Sequence, residues 1–536
     1  MFRSCWLQVH TRLRAVSPVV CWRVKILLRL LPRRVPVRRW SLAFAAVLLA
    51  LLHGASYWNA GPLDDDFICQ VFGRSLLEGR GFSWWGAEQV EGFTVPLWVG
   101  LQALGQGLGF WAPDVSRVLG VLGAGLAVWA LGRAWGARTG SRSGGPAWIL
   151  AAAPAFAFHA CAGLGTSLLS ALIALWLMAL VTAEEGDEAH RCHAQRLAGV
   201  WLGLACLLRQ ECALLWLVWM VVAPREEAER RGLVRWLPKG AAIPFLALVS
   251  WSALRWFLFG RLLPISYSVK ALPMAVDLTY GLDYLLGDLA LLGSGLLALA
   301  AVLLVLGTSA RPVDRVIGWG FLVYALYVVV VGGDFIAWSR FFVPAVPLGL
   351  WSAAVLVQRW QIKPLALGLL CVVLQWPAAL PDQDLRSRGA RFLDHQVFEE
   401  RWSLIGRWAG EHAPEGTRLG TSPIGAIAWH SGIEVLDLLG LVHGHSLGLE
   451  PDLERVKVKG HHRSATNWML EERPHWILLG NGMRVDGRLE INPWEVDLYQ
   501  SAKFQDDYRR IEIDLGQGPP LDLFVRRDLP DPGRVR

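Results

Sequence analysis

Leu63-Asp64-Asp65-Asp66-Phe67-Ile68 sets three consecutive carboxylates directly after the first membrane-length apolar run, Ser41 to Tyr57. Charge at the edge of a bilayer is costly unless it meets water or a partner, so the triplet asks for a reason. Before Asp64 the chain carries ten Lys or Arg, Arg3 through Arg39, and no acid at all. That bias predicts a cytoplasmic N-terminus, a retained signal anchor, and carboxylates that emerge on the outer side. Trp40 and Trp58 bracket the anchor about 27 Å apart at 1.5 Å per residue, where interfacial indoles belong.

Outward from this stretch the composition sets the class. The chain has 536 residues, 54% of them hydrophobic and 18% charged, which is too apolar for a soluble protein of this length. The net charge of +7 calls for no nucleic-acid partner, because the basic residues gather in alternate connections: Arg230, Arg231, Arg235 and Lys239, then Arg311 and Arg315, then Arg359 and Lys363. Apolar runs predict spans near 41–58, 115–132, 147–160, 166–183, 196–208, 212–223, 240–258, 286–307, 316–331, 341–357 and 364–380. Treating Thr94 to Phe110 as an interfacial helix, not a span, keeps Arg133, Arg138 and Arg142 inside and gives about eleven spans with N-in, C-out topology. The eight cysteines are scattered, with none after Cys371, and indicate neither a disulfide framework nor a zinc site.

Three regions follow: a basic segment 1–40, a transmembrane part 41–380 and a soluble part 381–536. In the last, Thr417–Thr421, Glu434–Leu438, His475–Leu479, Arg510–Ile513 and Leu521–Val525 read as strands. Pro423 to His430 reads as a short helix between the first two, so a small α/β domain is expected.

On this topology the polar oddities fall on one side. Asp64, Asp65 and Asp66 open the first outer loop and Glu91-Gly92-Phe93-Thr94 closes it. Arg209-Gln210-Glu211 caps two spans, Gly260 to Lys270 carries Arg261, Tyr267 and Lys270, and Gly333-Asp334 stands before Arg340. Adjacent acids raise each other's pKa, which can hold one as a general base for a hydroxyl. Arg and Lys at headgroup level suit a phosphate, and a phosphate leaving group needs cations more than a proton. Each signal also has a plainer reading: a solvated acidic loop, a local ion pair of Arg209 with Glu211, turn chemistry at Asp334, a snorkelling Lys270. Their common side is what joins them. His443, His445, His461 and His462 match no zinc spacing and read as solvated, so no metal is assigned, although Asp64 to Asp66 could hold a divalent cation.

These motifs resemble the GT-C superfamily of membrane glycosyltransferases, and within it the mycobacterial terminal arabinofuranosyltransferases that use decaprenyl-phosphate arabinose. In that group the first loop reads roughly Asp-Asp-Ala-Phe-Ile and later Glu-Gly-Tyr-Thr; Asp64 to Ile68 and Glu91 to Thr94 match, with Asp66 in place of the small residue. Arg74 matches an arginine of that loop, Arg209-Gln210-Glu211 an Arg-Pro-Glu element, Leu262 to Lys270 a Leu-Leu-Pro-Asn-Thr element ending in Lys, and Gly332 to Phe341 a Gly-Gly-Asp element ending in Arg-Phe. Gly163-Leu164-Gly165-Thr166 departs from Gly-Leu-Glu-Thr by losing an acid.

The resemblance implies a polytopic GT-C fold with interfacial helices in the first loop, a catalytic Asp from Asp64 or Asp65, and a polyprenyl-phosphate sugar donor. Arg209, Lys270 and Arg340 are the expected holders of the donor phosphate. Asp66, Arg74, Glu91, Glu211, Tyr267, Asp334 and Asp437 are expected at the sugar or acceptor, which would be a glycan, lipid or protein outside a bacterial inner membrane. Arabinofuranose is the sugar of that group. A lipid-sugar flippase and an adhesion or sensory protein are the alternatives from other classes. The first would place ionisable groups near the midplane in repeated halves, and no repeat is visible. The second would leave the aligned membrane-face charges without a use.

Overall fold

The computed structural model describes residues 42–532 except 87, 141–143, 223–238, 292–293, 308–309, 337, 361–385 and 486. The expected basic segment 1–40 and the expected span 364–380 therefore lie outside the described residues. From Leu42 to Arg536 the chain forms one compact unit.

Among the described residues four helices are long and apolar enough to cross a membrane: Ala112–Thr139, Thr166–Glu185, Ala242–Phe259 and Pro312–Val330. Thr166–Glu185 is the most enclosed, with 83% of its apolar window buried, and it packs between Ala112–Thr139 and Glu188–Leu208. Buried Gly, Ala and Ser such as Gly120, Gly123, Ala127, Ser167 and Ala174 let these backbones approach closely. Arg138, at the far end of Ala112–Thr139, donates to the buried Asp314 at 2.6 Å, and Trp351 Nε1 donates to the same carboxylate at 3.0 Å. The C-terminal end of Ala112–Thr139 and the N-terminal end of Pro312–Val330 thus meet.

The helices depart from the expected spans where the sequence breaks them. Pro154 splits 147–160 into Pro146–Ala152 and Pro154–Cys161, because its ring and missing N–H end the first piece. The run 286–307 divides between Met274–Leu291, which starts well before it, and Ser294–Leu306. Pro96–Gly107 has 12 residues, about 18 Å at 1.5 Å per residue, too short for a hydrocarbon core of about 30 Å.

In the C-terminal part, β1 (Arg418–Thr421) pairs in parallel with β2 (Glu434–Asp437) and β3 (Trp476–Ile477), and β5 (Leu521–Arg526) runs antiparallel between β3 and β4 (Tyr508–Ile513). The order is β2-β1-β3-β5-β4. Helix Gly425–Ser431 joins β1 to β2 as the strand-helix-strand reading expects, and the long helix Arg386–His412 packs on it.

Everything meets at helix Asp64–Leu77. Asp66 is fully buried and its carboxylate accepts from Trp98 Nε1 at 2.6 Å, Ser116 Oγ at 2.5 Å, Gln70 Nε2 at 2.9 Å and the Leu164 N–H at 2.7 Å. Leu164 adopts φ +56, a left-handed conformation disfavoured for a branched side chain, and this hydrogen bond holds it there. A Cβ at Gly163 would collide with the Asp66 side chain, so glycine is required. Asp66→Ala should orphan several of these donors and cost about 3 kcal/mol or more. A fall in the thermal midpoint of the detergent-solubilised protein would show it, and an unchanged midpoint would contradict it.

Candidate functional site

The three acids occupy successive helix positions, about 100° apart, so they diverge. Asp66 turns into the core. Asp64 turns to the C-terminal part, where its carboxylate accepts the N–H groups of Gly425 at 3.1 Å and Ala426 at 2.7 Å, and its own N–H donates to Glu399. Only Asp65 faces a cavity of about 520 Å³. The divergence leaves no common point for a cation shared by all three acids.

The cavity wall brings together Asp65, Arg209, Glu211, Tyr267, Lys270, Asp334 and Arg340 of the expected residues. Arg209 Nε donates to Glu211 Oε1 at 2.7 Å, and one of its terminal nitrogens donates to Thr94 Oγ1 at 3.2 Å. Arg340 pairs with Asp334 at 2.6 Å and reaches Asp65 at 3.5 Å. The two guanidinium carbons lie 4.9 Å and 5.2 Å from the centroid of the Phe341 ring, within cation–π range. Local backbone aims Arg340: Gly332 and Gly333 have φ of +82 and +65, and Trp338 and Ser339, at +62 and +58, carry strain just before it. The Tyr284 ring lies against Gly333 where a Cβ would stand.

Lys459 and Asp277, which the sequence did not single out, pair across the same wall. Of the four cavity cations, Arg209, Arg340 and Lys459 each have a carboxylate. Among the described residues Lys270 has none; its Nζ lies 6.0 Å from the Phe335 ring centroid. Burial would raise the Asp65 carboxyl, but the Lys270 and Arg340 charges outweigh it and hold the group below its ordinary range, so it is ionised at neutral pH.

Five expected site residues stand elsewhere. Besides Asp64 and Asp66, Arg74 donates to the carbonyls of Ala428 and Trp429, both at 3.3 Å, and covers the Trp429 ring at 4.8 Å. Glu91 is buried against Arg255, whose other bonds go to Gln210 Oε1 and the Leu262 carbonyl at 3.0 Å. Gln210, where the resembling element has proline, is therefore a partner of this network. Arg255 is a lone cation within the apolar helix Ala242–Phe259, a signal the sequence did offer. Asp437 is buried and accepts the N–H groups of Leu439 at 2.8 Å and Val442 at 3.1 Å, shaping the loop that brings Leu441 to the cavity.

The histidines are not free in solvent, apart from His445. His461 packs on Trp494 and Phe335 with centroids 4.5 Å and 5.0 Å away, and burial together with the Lys270 charge pushes it down to about 4. His462 meets the Tyr280 hydroxyl at 3.1 Å, and the exposed His445 stacks on Trp468 at 4.1 Å. Among the described residues no three His, Cys, Asp or Glu gather as metal ligands.

This architecture has counterparts. ArnT from Cupriavidus metallidurans in the apo state superposes with a TM-score of 0.56 over 90% of this chain and 97% of its own, at 13% identity. The chain has the fold of ArnT. ArnT bound to undecaprenyl phosphate matches with a TM-score of 0.50 over 73% of this chain and 85% of its own, at 14% identity. The fold is the one that the GT-C resemblance implies. The mycobacterial arabinofuranosyltransferase AftD gives a TM-score of 0.46 at 13% identity, covering 92% of this chain and 42% of that one. Residues 391–524 match a domain of unknown function, DUF8728. No curated protein matches the sequence.

Burial, chiefly, and the neighbouring Asp65 and Asp437 push the Asp64 carboxyl up to about 7, and burial and Asp64 raise Glu399 well above its ordinary value. An acid whose folded pKa lies above its unfolded value near 3.8 contributes stability that is complete below about pH 4 and lost as pH rises through about 7. Packing of the C-terminal part on helix Asp64–Leu77 should therefore tighten as pH falls from about 7.5 to 5. Hydrogen exchange over 64–77 and 425–431 measures this. Protection that stays flat or weakens on acidification contradicts it.

Proposed function

We propose that the protein is a membrane glycosyltransferase that moves a sugar from a polyprenyl-phosphate donor to a glycan, lipid or protein acceptor. The observation that carries this reading is Lys270, a cation with no carboxylate within ion-pair distance among the described residues, in a cavity whose wall also bears the ionised Asp65 and the paired Arg209 and Arg340. Leu263, Tyr267 and Val330 line the same cavity and are exposed on the outside of the molecule, an apolar rim suited to a prenyl chain arriving from the bilayer. ArnT, whose fold the chain shares, binds undecaprenyl phosphate, which supports a donor of that class.

In this reading the phosphate sits on Lys270 and the outward N–H groups of Arg209 and Arg340. The acceptor oxygen forms a bond to the anomeric carbon as the bond from that carbon to the phosphate oxygen breaks. The phosphate leaves with the electron pair, and the cations stabilise its charge without a proton. Asp65 takes the acceptor hydroxyl's proton. Glu211 and Asp334 orient the cations, and Tyr267 stands at the rim. Arabinofuranose is the sugar we assign, on the motif resemblance of Asp64 to Ile68 and Glu91 to Thr94. The cavity would face the extracytoplasmic side of a bacterial cytoplasmic membrane, with about eleven spans, N-in and C-out. The charges gather at one end of the helices, not at their midpoint, which favours transfer over flipping.

Transfer of radiolabelled sugar from synthetic polyprenyl-phosphate arabinose, mannose and glucose to an envelope glycan extract tests this. Asp65→Asn should lower the rate at least about 100-fold, whereas Asp64→Asn should retain it within about threefold. Lys270→Ala should raise the donor KM about tenfold or more, and a chelator should leave the rate unchanged, because the three acids diverge. The acid limb of the wild-type pH profile should lie below the ordinary carboxylate range, on account of the lowered Asp65. Equal activity of wild type and Asp65→Asn would remove the base assignment, and no transfer from any donor by folded protein would remove the enzyme.

A further inference from the structure

Lys270 ends a helix of only six residues, Ile265–Lys270, which cannot by its own length hold a charged side chain in place. What holds it comes from nearly two hundred residues away. Arg463 places one terminal nitrogen on the carbonyls of Val269 and Ala271, both at 2.7 Å, and its Nε on the Leu449 carbonyl at 2.8 Å. Two of the carbonyls beside Lys270 are thereby fixed by a single guanidinium.

The same loop touches the side chain. Gly460, at φ +88, lies along the lysine stem so closely that a Cβ there would stand 3.3–3.4 Å from Cγ, Cδ and Cε. Lys459 pairs with Asp277, and the other oxygen of Asp277 accepts the Leu272 N–H at 3.2 Å, so the segment after the helix is fixed too. His461 packs edge-on against Phe335 at 5.0 Å, and that ring lies beneath the ammonium. These contacts of the loop position Lys270, while among the described residues no carboxylate lies within ion-pair distance of it; Asp65 acts on it only from further off. A cation held in place without a direct ion pair is pre-organised for an incoming anion, since no contact ion pair must be broken on binding.

We infer that the loop Lys459–Arg463 of the C-terminal part is a clamp for the donor phosphate site, with Arg463 the positioning residue that acts through Lys270. The ligand class is a polyprenyl monophosphate. The inference rests on the assignment of Lys270 to the donor phosphate, and it makes the C-terminal part a component of the donor site.

The test is equilibrium binding of a sugar-free polyprenyl monophosphate, and of the matching polyprenyl alcohol, to the full-length protein in nanodiscs. Wild type is compared with Lys270→Ala, Arg463→Ala, Arg463→Lys and Gly460→Ala, with the thermal midpoint recorded for each. Arg463→Ala should weaken monophosphate binding about tenfold, leave alcohol binding unchanged and hold the midpoint within about 2 °C. Arg463→Lys, which keeps one donor group for the two carbonyls, should recover part of the loss, and Gly460→Ala should weaken the monophosphate selectively. In transfer assays Arg463→Ala should raise the donor KM with kcat little changed.

Loss of both lipids together with a lowered midpoint in Arg463→Ala, and normal binding by Gly460→Ala, would make the loop merely structural and overturn the inference. Wild-type binding by Arg463→Ala beside a loss in Lys270→Ala would overturn it while leaving the phosphate assignment standing. Wild-type binding by Lys270→Ala would remove the phosphate assignment itself and the clamp with it.

Discussion

The carboxylate of Asp66 is the interaction on which the rest depends. A fully buried acid is tolerated only when its lone pairs are satisfied, and here the donors come from four places: its own helix, the short helix Pro96–Gly107, the long helix Ala112–Thr139 and the turn before Thr166–Glu185. Because the helix repeat fixes the directions of its neighbours, burying Asp66 turns Asp65 to the cavity and Asp64 to the C-terminal part. One constraint in the core assigns three tasks to three identical side chains.

The cavity that results is electrostatically arranged, not simply positive. Arg209 and Arg340 are held by Glu211 and Asp334 beside one phenylalanine ring, which spends part of their charge. Lys459 is likewise engaged by Asp277. Among the described residues Lys270 is the cavity cation without a contact ion pair, and its charge and that of Arg340 hold Asp65 ionised. A site for an anion and a site for a proton are made by the same few charges.

Much of this was legible in the residues. Helix periodicity, basic connections and turn chemistry outlined the apolar helices and the strand-helix-strand unit, and the charged motifs between the apolar runs named most of the cavity wall. What sequence could not give were the directions. Asp64, Asp65 and Asp66 read as one cluster, yet a rotation of about 100° per residue separates them. Arg74, Glu91 and Asp437 belong to recognisable motifs and act as fasteners between segments, a role that depends on partners such as Ala428, Arg255 and Val442 that no local pattern links to them. Lys459 and Arg463 sit in a stretch of ordinary loop composition, and only folding carries them to Lys270. Pro154 was a local signal that a longer apolar run obscured.

The fastening of Asp64 also bears on how the molecule is made. The amides that its carboxylate accepts, on Gly425 and Ala426, lie 361 and 362 residues further along the chain. At about 5–20 residues per second, a ribosome delivers them roughly 20–70 s after the acidic helix has emerged. For that interval the helix must wait with one flank uncovered, and a segment made much later closes over it. Assembly of this protein is a matter of timing as much as of affinity, and its early segments are built to be finished late.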